Sequence, residues 1–306
     1  MKNNTFDLSK INKDFILACY PDIGMNLESI LLSNLRLAPV QITCHGHSVS
    51  TFGSEIDYFI SGIESEELDK AKENYSERLI LIPETGLHSS IQFYQKKKTN
   101  SLKNEFIIAC PWTFMKINHE HLLNLLEIKN RAEKPIKFRF FTAIKSNLSL
   151  NIFTKELKNI LGENHVEVLP FMWDYMDLLT EASISLDSFH FGGYNTIIDS
   201  LFLSKPIVTI AGSKAYNRFS GTILKNLDLE ELVTCNNEQY IEKAIELINN
   251  DSYRKSITNK IMGINLREKI FDSNEPQYFK KAVDFLIDNY EALKRDKSKV
   301  PIIIEA

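Results

Sequence analysis

The string Phe189-His-Phe-Gly-Gly-Tyr-Asn-Thr-Ile-Ile-Asp199 carries the densest chemistry in this chain. It follows a short apolar strand, Ile184–Leu186, that ends at Asp187, and it opens a helix predicted from Asn195 to Leu203. The pair Gly192-Gly193 lets the backbone approach a ligand closely, because neither residue has a Cβ in the way. The helix then aims its unpaired N–H groups and the positive end of its dipole at the same spot, which suits phosphate. Asn195 and Asp199 stand four apart and share one side of the first helical turn. A diphosphate beside the glycines and a pair of sugar hydroxyls on Asp199 would use every polar group in the string. A glycine pair alone also serves an ordinary βα turn, so the signal is the whole string.

Two further constellations have the same character. Ala109-Cys-Pro-Trp-Thr-Phe-Met-Lys116-Ile-Asn-His119 follows an apolar strand and precedes a helix, so Lys116 is predicted at a carboxyl strand end, on the rim that holds the glycine string. A lysine there can neutralise a diphosphate leaving group; elsewhere it would be a solvated surface charge. The other string is Arg36-Leu-Ala-Pro-Val-Gln-Ile-Thr-Cys-His45-Gly-His47-Ser-Val-Ser-Thr51. Two histidines two apart would bind a metal from a strand, but no third ligand has suitable spacing, which argues against zinc. A neutral histidine could instead donate to a phosphate or orient a substrate.

The elements that must position these groups read as α/β units around largely parallel sheets. In the first part, strands are predicted at Phe15–Cys19, Val40–Cys44, Tyr58–Ile60 and Leu79–Ile82, with a helix over Asn26–Leu35. Strands Phe15–Cys19 and Val40–Cys44 read as apolar on both faces, as buried parallel strands are. A polar, lysine-rich stretch follows and is assigned as a linker over 91–104. Cleaner alternation resumes, with strands at Phe106–Ala109, Ile136–Phe141, Val166–Leu169, Ile184–Leu186, Ile207–Ile210 and Leu232–Thr234. Helices are predicted at Glu120–Arg131, Ile152–Leu161, Tyr175–Thr180, Asn195–Leu203, Tyr216–Leu224, Glu238–Asn249, Tyr253–Asn265 and Gln277–Leu293. The resulting domains are 1–90, a partial N-terminal Rossmann-like domain, and 105–270, a complete doubly wound domain. Residues 271–306 form a C-terminal helix and tail. The ligand of the second domain belongs beyond the carboxyl ends of its strands. The first domain reads as truncated, lacking opening βα repeats.

Composition bounds the rest. At 306 residues, 43% hydrophobic and 25% charged, the chain is of soluble globular type with room for two cores. A net charge of −4 offers no basic field for nucleic acid. No apolar run approaches the ~20 residues that span a bilayer, and the opening Met-Lys-Asn-Asn-Thr is no signal peptide. Cys19, Cys44, Cys110 and Cys235 are far apart; three lie in strand-like runs, where reduced, buried thiols are expected. A cytoplasmic location follows from this reading.

Together the three strings resemble glycosyltransferase family 41, the bacterial cytoplasmic protein N-glycosyltransferases and, more distantly, the O-linked N-acetylglucosamine transferase. Ser33-Asn-Leu-Arg-Leu-Ala-Pro-Val-Gln41 with Gly46-His47, then Ile56-Asp-Tyr-Phe-Ile60 and Tyr75-Ser-Glu-Arg-Leu79 followed by Pro83, is similar to that family's N-domain core. Thr113-Phe-Met-Lys116-Ile-Asn118 resembles its uridine-diphosphate lysine motif, and Phe189–Asp199 with Pro206 its nucleotide-sugar loop and helix. The likeness runs, with gaps, from Phe15 to Asn265 with the motif order kept.

The resemblance implies a GT-B architecture, two Rossmann-like doubly wound domains facing across a cleft, the first one here truncated, with nucleotide mainly on the second. It assigns Thr113, Lys116, Gly192, Gly193, Tyr194, Asn195, Thr196 and Asp199 to the nucleotide sugar, and Lys116 and His47 to catalysis. No metal and no other cofactor is expected; no Asp-x-Asp occurs in the chain, and Lys116 with the helix end would replace a cation. Tyr194 stands where the animal O-linked enzymes have a histidine, which implies different nucleotide stacking.

The implied function is inverting transfer of a hexose or N-acetylhexosamine from a UDP-sugar to protein Asn, Ser or Thr side chains. The partners are then a UDP-sugar donor, a protein acceptor, and a second copy or a partner chain docked through residues 1–90. The alternative is a nucleotide-sugar-binding or regulatory subunit that needs a catalytic partner. A nucleotide-sugar epimerase ranks below both, for want of paired carboxylates at the sugar.

Overall fold

The computed structural model describes residues 14–89, 105–172 and 175–306. Its strands are β1 (Leu17–Tyr20), β2 (Val40–Thr43), β3 (Tyr58–Gly62), β4 (Arg78–Ile82), β5 (Phe106–Cys110), β6 (Ile136–Phe141), β7 (Val166–Leu169), β8 (Ile184–Leu186), β9 (Ile207–Ile210), β10 (Val233–Thr234) and β11 (Ile302–Ile303). Its helices are α1 (Leu27–Leu32), α2 (Leu68–Ala71), α3 (His119–Arg131), α4 (Asn147–Leu161), α5 (Tyr175–Thr180), α6 (Asn195–Phe202), α7 (Ala215–Asn226), α8 (Asn237–Asn249), α9 (Asp251–Met262) and α10 (Glu275–Arg295). The chain divides into two compact units, Met1–His88 with Ser273–Ala306, and Ser89–Asp272. The linker predicted over 91–104 lies outside the described residues.

The first unit is a five-stranded parallel sheet in the order β1-β2-β3-β4-β11. Side chains alternate across it with the period of two that a strand imposes. Ile42, Tyr58, Ile60, Ile80 and Ile82 face Ala282 and Leu286 of α10, while Phe59, Leu79 and Leu81 face Ala71 and Tyr75. The segment 271–306, read from sequence as a separate helix and tail, therefore belongs to this sheet. Pro276 in the first turn of α10 and Lys294 and Arg295 in its last suit those ends. Ile302 and Ile303 then pair with Ile80 and Leu81 and supply a fifth strand that no sequence pattern announced.

The expectation that Phe15–Cys19 and Val40–Cys44 are apolar on both faces is corrected. β1 begins at Leu17 and is an edge strand: Leu17 and Ala18 are half-buried and Cys19 exposed. β2 is buried on both faces, but one face carries Gln41 and Thr43. The Gln41 amide accepts from the Leu37 and Ala38 N–H groups and donates to the Leu35 and Glu55 carbonyls, which removes the cost of burying it. The predicted helix Asn26–Leu35 is shorter: Asn26 caps α1 by accepting from Ser29 N at 2.7 Å, and the helix stops before Ser33. The thiols are corrected too, since Cys110 is buried, Cys44 half-buried, and Cys19 and Cys235 exposed; none is in a disulfide.

The second unit holds a six-stranded parallel sheet, β10-β9-β8-β5-β6-β7. From β5 the chain winds outward through β6 and β7, then returns to the other side of β5 and winds outward again through β8, β9 and β10. The order reverses between β5 and β8, whose registered pairs are Ile108 with Ile184 and Ala109 with Ser185. Side chains on both faces, from Trp112 and Phe138 to Tyr240 and Leu247, form its main core. Among the described residues no helix is long and apolar enough to cross a membrane.

Candidate functional site

In an open parallel sheet, ligands bind outside the carboxyl ends of the strands at the point where strand order reverses, because the flanking loops there diverge. In the second unit that point lies between β5 and β8, and the two strings singled out from sequence are the loops that leave these strands. The structure brings them together. Lys116 ends a short 3₁₀ turn, Phe114–Lys116, after β5. Its Nζ donates to the Gly192 carbonyl at 2.9 Å and lies 5.1 Å from the centre of the Phe191 ring. Burial pushes the Lys116 ammonium below its ordinary value, opposed by the nearby Asp187 carboxylate.

Further ties hold the loops in register. Trp112 Nε1 donates to the Leu186 carbonyl at 2.6 Å, and Asn118 Nδ2 to the Phe189 carbonyl at 3.1 Å. The Phe189 N–H donates to His121 Nε2 at 2.8 Å, while the His121 ring stacks on Trp112 at 4.6 Å. Burial drives the His121 pKa down to about 4, so the ring is a neutral acceptor at Nε2. Sequence reasoning passed over His121. Its signal was its place on the apolar face of α3, in line with Leu125 and Ile128.

The glycine string forms the mouth of α6. Both glycines are needed, for a reason other than the one inferred from sequence. A Cβ at Gly192 would stand 2.9 Å from Ser220 Oγ, and one at Gly193 2.0 Å from Thr196 Oγ1 and 3.0 Å from Asp187 Oδ1. The glycines accommodate the protein's own packing around the turn. Their N–H groups are also committed, Gly192 to the Tyr216 carbonyl and Gly193 to Asp187. The N–H groups open toward a ligand are therefore those of the first turn of α6, from Asn195 onward.

Tyr194 packs its ring edge-on to Phe219 at 6.3 Å, which brings its backbone to the helix mouth. Asn195 is exposed and Thr196 half-buried in that first turn, and Thr113 is half-buried at the start of the Lys116 turn. Asp199 lies one turn in, only 3% exposed, and makes no side-chain hydrogen bond among the described residues. Burial raises its pKa to about 7.

Asp199 gives a pH prediction of unusual sign. In the unfolded chain it titrates near 3.8, in the folded chain near 7, so between these values the folded state holds the extra proton. Its contribution is neutral below pH 4 and becomes destabilising as pH rises to 7, by up to about 4 kcal/mol at roughly 1.4 kcal/mol per unit. Asp199→Asn is thus expected to raise the melting temperature of the ligand-free chain at pH 8 and to leave it unchanged near pH 4. Equal melting temperatures at pH 8 would show that the carboxylate is not strained by burial.

His47 belongs to the first unit, in the turn after β2. Its ring lies directly on Gly24, where a Cβ would stand 2.2 Å from the imidazole, and Gly24 holds φ +130°. His45 is different. It is buried, with a pKa pushed down to about 3 by desolvation, and its Nε2 meets Ser61 Oγ at 2.8 Å. Ser61 in turn donates to Glu66 at 2.6 Å, as does Tyr75 at 2.6 Å. The pair flanking Gly46 is therefore divided between a core position and a partly exposed one, and neither stands on a strand, the arrangement a two-histidine metal site needed.

Two Rossmann-like units, the second with a lysine and a helix mouth at its switch point, define the GT-B class of fold. An O-GlcNAc transferase of Thermobaculum terrenum aligns with a TM-score of 0.74 and 18% identity, over 90% of this chain and 53% of that one. Anabaena HepE, solved with UDP and glucose, aligns with a TM-score of 0.54 and 10% identity, over 84% of this chain and 81% of that one.

Within this class the chain is related to glycosyl transferase family 41, whose profile matches residues 179–281. It is 27% identical over 258 residues to a UDP-glucose:protein N-beta-glucosyltransferase of Actinobacillus pleuropneumoniae, covering 82% of this chain and 41% of that one. It is 29% identical over 228 residues to a probable UDP-N-acetylglucosamine–peptide N-acetylglucosaminyltransferase SPINDLY of Solanum lycopersicum, covering 69% of this chain and 23% of that one. The chain thus spans less than half the length of these curated relatives.

Proposed function

We propose that the chain is the donor-binding and catalytic part of an inverting, metal-independent protein glycosyltransferase. In this reading a hexose or N-acetylhexosamine moves from a UDP-sugar to an Asn, Ser or Thr side chain. The observation that carries it is the meeting of Lys116 with the Gly192 carbonyl, at the mouth of α6 and on the switch point of the sheet. The kinship with UDP-sugar-dependent protein glycosyltransferases supports the same donor.

The chemistry follows from the charges. The acceptor atom attacks the anomeric carbon as the bond to the diphosphate breaks, through a transition state with oxocarbenium character. Negative charge grows on the leaving diphosphate. Lys116, released from the Gly192 carbonyl when the donor binds, and the N–H groups at the start of α6 stabilise that charge. In this reading Asp199, proton-bearing or ionised near neutrality, bonds sugar hydroxyls. The acceptor proton passes to a donor phosphate or to water. His47 of the first unit is carried as a catalytic residue on the family resemblance alone.

UDP at 100 times its Kd is expected to stabilise the chain by about 2.7 kcal/mol in buffer containing EDTA. A thermal shift that appears only after Mg²⁺ or Mn²⁺ is added sinks the metal-free part of the reading.

A second reading, a donor-binding subunit that acts with a partner chain or a second copy docked through residues 1–90, is favoured by β1. Among the described residues this edge strand pairs on one side only, and Phe15, Ile16, Leu27, Ile30 and Leu31 around it are exposed. Light scattering at micromolar concentration separates the cases, since a stable monomer that transfers sugar removes the need for a partner.

A further inference from the structure

Asp187 ends β8 with 2% of its surface exposed, and no motif made use of it. A buried carboxylate is costly unless it is fully bonded, so its partners show what it is for. Its Oδ1 accepts from the Gly193 N–H at 2.9 Å. Its Oδ2 accepts from Thr209 Oγ1 on β9 at 2.8 Å and from Ser220 Oγ on α7 at 2.6 Å. Ser220 Oγ also lies 2.7 Å from the Gly193 carbonyl. The Asp187 backbone is pinned as well, its carbonyl accepting from the Tyr240 hydroxyl at 2.9 Å and its N–H donating to the Val208 carbonyl at 2.9 Å. One side chain thus ties β9, α7 and the glycine turn together, and the single Ser220 proton is shared between Asp187 and the Gly193 carbonyl.

We propose that Asp187 is a positioning residue for the donor diphosphate: without touching the ligand, it sets the Gly192-Gly193 turn through Gly193 and Ser220 and supplies the anion that faces Lys116. This rests on the donor-site reading above. The turn fixes where α6 begins and hence where its open N–H groups point. The carboxylate acts on the other half of the site: burial lowers the Lys116 pKa and Asp187 opposes that, while burial raises the Asp187 carboxyl and Ser220, Lys116, Thr209 and the Gly193 N–H oppose it. His121 is held uncharged by burial, and Tyr240 on α8 and Cys110 on β5 are pushed well up by it.

Asp187→Asn separates the two functions. Its amide oxygen still accepts from Gly193, and its Nδ2 can donate to Ser220, whose hydroxyl then bonds the Gly193 carbonyl; the turn keeps its bonds, while the charge and the acceptor of the Thr209 hydroxyl are lost. Ser220→Ala does the reverse, loosening the turn and keeping the charge. The experiment is UDP titration calorimetry on the full chain with EDTA, from pH 7 to pH 10, where the diphosphate is fully ionised above about pH 7, with melting curves for each variant.

In wild type, affinity falls as Lys116 loses its proton. In Asp187→Asn that fall is expected at lower pH, by about half a unit or more, because the carboxylate that opposes the effect of burial on Lys116 is gone. In Ser220→Ala affinity is expected to drop about tenfold at every pH with the profile unmoved. Wild type that binds UDP, with both variants matching it in affinity and profile, overturns the inference alone. If Asp187→Asn does not melt cooperatively, Ser220→Ala decides, and unchanged affinity in it overturns the inference. Wild type that binds no UDP overturns the donor-site reading and this inference with it.

Discussion

Lys116→Ala is expected to lower UDP affinity, and with it any sugar transfer, at least tenfold. The reason is electrostatic. The Lys116 ammonium is partly withdrawn from water, where a charge-assisted hydrogen bond to phosphate is worth about 1.5–3 kcal/mol. Each 1.4 kcal/mol is a factor of ten. Transfer is expected to suffer more than binding, because charge on the diphosphate grows between ground state and transition state. The fold is expected to survive, since Lys116 is only half-buried and its own protein contacts are the Gly192 carbonyl and the face of Phe191. Calorimetry with UDP and a transfer assay on the same preparation make the comparison. Unchanged affinity with an unchanged melting curve would remove Lys116 from the site.

Gly62→Ala is expected to cost the first unit about 3 kcal/mol or more. Gly62 ends β3 where the chain leaving β4 passes over it. A Cβ there would stand 2.0 Å from the Thr85 carbonyl carbon and 2.3 Å from the Gly86 nitrogen. These are backbone atoms, which cannot turn aside as a side chain can, so the cost exceeds ordinary overpacking. The displaced loop is also the one held to α10, with Thr85 N and Leu87 N both donating to Glu275 at 3.1 and 3.3 Å. Chemical unfolding with a probe in the first unit measures the loss. A midpoint equal to that of wild type would mean that the crossing is looser than its geometry.

Much of the second unit is legible in the sequence, because each of its strands is a short apolar run between amphipathic helices. The predicted Ile136–Phe141, Val166–Leu169, Ile184–Leu186 and Ile207–Ile210 coincide with β6, β7, β8 and β9. Ends decided by capping were harder to place. α4 starts at Asn147 because Ser146 accepts from Ser149 N, five residues before the apolar periodicity begins. The segment β11 was invisible, since two isoleucines near a terminus become a strand only when β4 offers an open edge. At the site, Lys116 and the glycine string announced themselves by residue type and spacing. Asp187 and His121 did not, because a single carboxylate at a strand end and a single histidine on an apolar helix face acquire their meaning from partners that are distant in sequence. Gly192 and Gly193 were noticed for the ligand, whereas the space they leave is filled by Ser220, Thr196 and Asp187.

The return of β11 to the first sheet sets an order of events for a chain leaving the ribosome. The second unit is continuous from Ser89 to Asp272, so all its parts are available before α10 has been made, and it can fold while synthesis proceeds. The first unit is interrupted. Its strands β1 to β4 are made before the second unit, yet the helix that covers one face of its core and the strand that closes one edge are made after it. Until then β4 presents an unpaired edge and Ile80 and Ile82 an open apolar face, the features that draw nascent chains to chaperones or to one another. The strands β1 to β4 are thus made before the second unit and reach their final fold after it.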